Sequence, residues 1–128
     1  MTQEILNIIA EAMDEIKVNY DYPEWQGKPK YPYFVGEYQE GEPINEDGQE
    51  ETDFMLTGFA RGANALLDLE RDKAKIKKKF PSIGGMMATT ESGSVVAIFY
   101  AGTLANIPTG DEEMKKIQIN LKVKEWTT

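Results

Sequence analysis

Apolar residues recur at three- and four-residue steps near the start of the chain, where Ile5, Leu6, Ile9, Ala12, Met13 and Ile16 would share one face of a helix. Thr2 stands where a side chain can cap that helix, and Glu4 sits in its first turn, where a negative charge suits the helix dipole. The pattern predicts a helix over 3–17. Val18 to Tyr22 is a short β-prone run that ends at Pro23, and Pro23, Gly27 and Pro29 make the following stretch a loop holding Trp25. Pro32 to Glu40 alternates as a strand with aromatic or apolar residues on both faces.

Gly41 to Glu51 has no periodicity and mixes Gly, Pro, Asn and Asp with its acids, which predicts a mobile connection. Strand character returns over Thr52 to Ala60, so the acids would form the tip of a hairpin. From Asn64 to Phe80, Leu66, Leu67, Leu69, Ile76 and Phe80 follow a helical period that is weak around Lys73 and stops at Pro81. Gly84 to Thr90 and Ser94 to Ala101 flank the turn Glu91-Ser92-Gly93, and Val95, Val96, Ile98, Phe99 and Tyr100 suit a central strand buried on both faces. The last run sets Ile117, Ile119, Leu121 and Val123 against Gln118, Asn120, Lys122 and Lys124, as a half-exposed strand requires.

The resulting order is α-β-β-β-α-β-β-β. It predicts one α+β domain over 1–128, with a mostly antiparallel sheet of five or six strands and two helices packed on it. A chain of 128 residues with 41% hydrophobic and 28% charged content can bury one core without a metal or disulfide.

Charge is distributed in blocks. Glu37 to Asp53 carries eight carboxylates and no cation, whereas Arg71 to Lys79 carries six of the fourteen cations. Within the acidic block, Glu42, Glu46, Asp47, Glu50 and Glu51 offer hard oxygen ligands. Their spacing lacks the alternating ladder of a calcium loop, and Asn45-Glu46-Asp47-Gly48 brings its glycine too early. A solvated or partner-binding loop is the reading that remains. On the helix, Arg71, Lys75, Lys78 and Lys79 share a side, and Lys73 and Lys77 a neighbouring one, which describes a solvated helix end or a protein contact.

A net charge of -8 opposes phosphate backbones and anionic membranes, so neither nucleic acid nor membrane is an expected partner. The N-terminal stretch is amphipathic and acidic, without the profile of a targeting or anchoring segment. The sequence contains no histidine and no cysteine, which removes the usual general base, thiol nucleophile and soft metal ligands. No pair of carboxylates stands out for acid–base work, so the chain is read as a non-enzyme without cofactor, metal or catalytic residues. Among the aromatics clustered over 20–38, Trp25 and Tyr31 lie in the loop and are the candidates for an interface. Gly36 and Gly58, inside strands, mark bulges or close backbone approach.

The opening helix with Ile5-Leu6-Asn7-Ile8-Ile9 leads to Tyr20-Asp21-Tyr22-Pro23, then Tyr31-Pro32-Tyr33-Phe34-Val35-Gly36-Glu37-Tyr38, and the chain closes on Ile117-Gln118-Ile119-Asn120-Leu121-Lys122-Val123. That layout resembles the small tail-terminator or tail-completion proteins of long-tailed bacteriophages and prophages, over nearly the whole chain. The resemblance implies an α+β subunit of a ring, commonly of six copies, that caps the tail tube and joins it to the head connector. It also implies a bacterial cytoplasmic location during assembly and then the virion tail. The other expectation is a small acidic binding module, such as a nucleic-acid mimic that occupies the cationic groove of a host protein.

Overall fold

The computed structural model describes residues 1–40, 49–105 and 107–126. Helix α1 spans Gln3–Glu15, and the Thr2 side-chain oxygen accepts the Ile5 N–H at 3.3 Å. Its Ile5, Ile9, Ala12 and Met13 are buried. The helix stops two residues short of its predicted end because Lys17 turns into the left-handed region at φ 59°. The Lys17 N–H then donates to the Asp14 carbonyl and the Val18 N–H to the Met13 carbonyl, a Schellman closure with lysine in the place usual for glycine.

The strands are β1 (Tyr20–Asp21), β2 (Tyr33–Glu40), β3 (Gln49–Arg61), β4 (Met86–Thr89), β5 (Val95–Leu104) and β6 (Met114–Trp126), with helix α2 (Ala65–Lys79) between β3 and β4. They form one six-stranded sheet in the order β1-β2-β3-β6-β5-β4. Only β1 pairs in parallel, with β2; the other four pairings are antiparallel. The fold is α+β with two helices on a mainly antiparallel sheet, as the alternation of patterns predicts.

One face of the sheet supplies Phe34, Phe54, Leu56, Ala60, Val96, Ile98, Ile117, Ile119, Leu121 and Val123 to a single core, which both helices cover. Burial of this much apolar surface is the main driving force for the fold. The opposite face carries Tyr33, Val35, Met55, Thr57, Phe59, Gln118 and Asn120, all half-buried, and among the described residues no helix lies over it.

Four further details differ from the sequence reading. Leu66 and Leu67 are 43% and 70% exposed; the buried line of α2 is Ala65, Leu69, Asp72 and Ile76, with Phe80 just past its end. Apolar period alone could not find this line, because a carboxylate occupies its middle. The second correction concerns β5, which is flanked on both sides but stands next to the edge strand, while the middle of the sheet is the β3–β6 pair. Third, Gln49 to Glu51 belong to β3, drawn into the ladder by pairing with Lys124 to Trp126 of an equally long β6. The rest of the predicted acidic connection, 41–48, lies outside the described residues. Finally, neither strand glycine makes a bulge: the ladder runs unbroken through Gly36 and Gly58, and close approach of a phenyl ring explains both.

Candidate interaction surfaces

The three candidate regions occupy different parts of the sheet. The acidic block follows the β2–β3 hairpin toward its tip, and Glu37, Glu40, Glu50 and Asp53 are exposed there. Glu51 is more enclosed and meets Lys122 of β6 at 3.3 Å, with Asp53 at 3.7 Å from the same ammonium. Hydrogen bonding and attraction from Glu51, joined by Asp53, raise the Lys122 pKa. Glu51 is therefore engaged within its own chain. Glu42, Glu46 and Asp47 lie outside the described residues.

Helix α2 carries the basic block to the other side of the molecule, where its last residue hands over to Phe80 and the Phe80 carbonyl accepts the Tyr100 N–H of β5 at 2.8 Å. Four of the six cations meet acids of the same chain. Arg71 approaches Asp68 at 3.4 Å and Asp72 at 3.9 Å, Lys73 meets Glu70 at 2.6 Å, Lys75 meets Asp72 at 3.7 Å, and Lys79 reaches Glu15 of α1 at 2.6 Å. Lys77 lies over the Tyr100 ring, 5.1 Å from its centre. Lys78 is exposed.

Asp72, which the sequence reading did not single out, is the buried member of this group at 4% exposure. Burial raises its pKa, and the nearby Lys75 and Arg71 offset part of that rise. The carboxylate organises two of the cations from below the helix surface. The only signal in the sequence was an acid at the core step between Leu69 and Ile76.

The aromatics converge on the uncovered face. Trp25 packs against Tyr33 with ring centres 5.0 Å apart, Tyr31 against Tyr33 at 5.5 Å, and Tyr33 stacks on Phe59 of the next strand at 5.2 Å. Cations frame the row: Arg61 stands over Tyr31 at 5.9 Å and Lys116 over Phe59 at 5.7 Å. The Trp25 indole N–H donates to the Lys28 carbonyl at 2.9 Å and the Asn19 amide donates to the Lys30 and Pro32 carbonyls, which folds the loop onto the sheet. Trp25 and Tyr31 thus join a four-ring ridge that also includes two strand residues. At the far flank of β2, Tyr22 stacks on Tyr38 at 6.2 Å, and both are exposed.

A depression of about 510 Å³ is shaped by the β5–β6 connection, with Pro108, Thr109, Asp111 and Lys116 among its walls. Asp111 is committed to Arg61 at 2.7 Å and to the Glu113 N–H at 3.0 Å, interactions that lower its pKa. No nucleophile with an adjacent base lines this depression. Among the described residues no three acidic side chains gather as a metal-binding group, and no helix is long and apolar enough to cross a membrane. The described residues thus present acids on one flank, cations on the other and an aromatic ridge on the open face. Neither protein-family models nor curated proteins yield a match to the sequence.

Proposed function

We propose that this chain is a structural assembly protein that forms a ring, of the kind that terminates or completes a phage or prophage tail tube and joins it to the head connector. The observation that carries the reading is the separation of charge across the sheet, with acids on β2 and β3 and cations on the helix that ends at β5. In a head-to-tail ring each subunit shows different surfaces to its two neighbours, so opposite charges meet at every joint. The aromatic ridge is then left for a third contact, with the tube or connector, since aromatic rings concentrate binding energy at protein interfaces. The layout of the sequence supports the same family of proteins.

Mass measured by light scattering after size exclusion, at low and high salt and fixed protein concentration, tests the reading. A discrete ring of several subunits that dissociates in salt is the expected result. A monomer under every condition overturns it.

A second reading rests on the internal pairing of the α2 cations, which leaves Glu11, Asp14, Glu24, Glu37, Glu50, Glu91 and Glu112 among the exposed acids of the described residues. Such a surface suits a module that binds a cationic groove. A pull-down from host lysate separates the two: a mimic retains a DNA-binding protein and releases it in salt, whereas a terminator retains tail proteins.

A further inference from the structure

Tracing the pairing registers sideways brings the two flanks of the sheet onto common rungs. Tyr38 leads through Phe54 and Leu121 to Tyr100, and Gly36 leads through Leu56 and Ile119 to Thr103. β1 covers β2 only at Phe34 and Val35, while β4 covers β5 only from Val95 to Ile98. Among the described residues, therefore, no strand lies outside Glu37–Glu40 on one flank or outside Phe99–Leu104 on the other. The two stretches share their rungs; on the β5 side the Phe80 carbonyl and Gly85 lie against Tyr100 and Phe99, so that side is open from Ala101 to Leu104.

The short edge strands sit at opposite ends of this window. Val35, the last β2 residue that β1 covers, is on the rung of Leu104, where β5 ends; Glu40, where β2 ends, is on the rung of Ile98, where β4 begins to cover β5. In a neighbour placed alongside in the same orientation, β1 would run on in line with the end of β5, and β4 in line with the end of β2. The two flanks have the outline of a lap joint. Strand direction also agrees, because β2 and β5 are antiparallel to each other within the sheet, so the joined strands would be antiparallel.

Charge selects which flanks meet. The β2 flank carries Glu37, with Asp21 on β1 and with Glu40 paired to the Met1 ammonium, whereas the β5 flank has Lys77 over Tyr100 and, one turn earlier on the same side of α2, Lys73 paired with Glu70. Two β2 flanks face to face would set acid against acid, which disfavours a two-fold pair. Because the Tyr100 N–H already serves the Phe80 carbonyl and the register shifts between Tyr100 and Thr103, the joint is made by side chains more than by a continuous ladder. Side by side in the same orientation, two copies would bring the exposed Tyr22–Tyr38 pair of one toward the Lys77–Tyr100 pair of the other.

We propose that copies of this chain dock side by side, the Glu37–Glu40 flank of one against the Phe99–Leu104 flank of the next. The inference rests on the ring reading above and names the joint from which such a ring would be built. Since the chain contains no cysteine, single introduced thiols report on it without background. Glu37→Cys and Ala101→Cys place thiols at exposed positions on adjoining rungs, within reach of a disulfide only across the joint.

Mixing the two single-cysteine proteins under mild oxidation should yield a covalent dimer, with neither protein cross-linking alone. Dimers formed by either variant alone would show a two-fold contact and overturn the proposal. A ring seen by light scattering without cross-linking in the mixture would overturn the joint and leave the ring standing; a monomer at every concentration would remove both. As a second measure, Lys77→Glu should raise the dissociation constant between subunits roughly tenfold at low salt, measured at a temperature where circular dichroism shows the variant fully folded. An unchanged dissociation constant would remove the electrostatic basis of the joint.

Discussion

The ring of Phe34 lies across Gly58, its partner on the neighbouring strand, so closely that a methyl group at Gly58 would come within 2.4 Å of the Phe34 Cε1. Phe54 covers Gly36 in the same way, at 2.6 Å from its Cζ. Two bare strand positions give two fully buried rings their places, and the rings in turn cover backbone that glycine would leave exposed. A buried phenyl ring held by helices above and strands beside it has little room to move aside.

Gly58→Ala should therefore destabilise the fold by about 1–3 kcal/mol, the cost of an overpacked core, despite the better strand propensity of alanine. Urea denaturation followed by tryptophan fluorescence checks this. Unchanged or increased stability would show that the Phe34 ring is not confined.

Asp72 should make stability depend on pH in a particular sense. Its folded pKa lies above the ordinary aspartate value, so between the two values the folded chain holds more protons than the unfolded chain. Its ionisation then works against folding at neutral pH, and the penalty disappears as pH falls through the folded and toward the unfolded value. Asp72→Asn should be more stable than the parent at pH 7, with the difference closing as pH drops into the ordinary aspartate range. Parallel melts across that range decide it; a variant less stable at pH 7 would mean that the contacts to Lys75 and Arg71 outweigh burial.

Lys17 closes α1 in a left-handed conformation that costs a side chain free energy and costs glycine little. Lys17→Gly should raise stability by about 1 kcal/mol, after allowance for the greater freedom of glycine in the unfolded chain. A thermal melt that falls instead would indicate that the lysine makes a compensating contact.

The exposed Lys78 separates stability from assembly. Lys78→Glu should leave monomer stability within about 0.5 kcal/mol, as expected for a surface site, while weakening the proposed ring. Light scattering at low salt reads the second effect, and an unaltered assembly would assign Lys78 to the solvated part of the helix.

Much of the architecture was legible because it rests on local periodicity. Thr2 and the apolar steps from Ile5 to Met13 announce α1, and the alternation from Ile117 to Val123 announces β6, since each pattern suits only one backbone period. The candidate surfaces were less legible. Trp25 and Tyr31 could be picked out as loop aromatics, but their ridge with Tyr33 and Phe59 required the loop to fold over a face made by the pairing of β2 with β3. The cations of α2 could be counted, yet their ties to Glu15 and Asp72 depended on how the helix rolled against the core.

By itself the sequence determined the kinds of element, their order, the absence of histidine and cysteine chemistry, and the separation of acidic from basic segments. The tertiary structure decided that Leu66 and Leu67 face outward while Asp72 faces in, that Glu50 and Glu51 extend a strand, and that Tyr38 and Tyr100 share a rung across four strands. The physical reason is range: helix and strand periods are set by neighbours within a few residues, whereas burial, register and the meeting of flanks follow from which distant segments pack together.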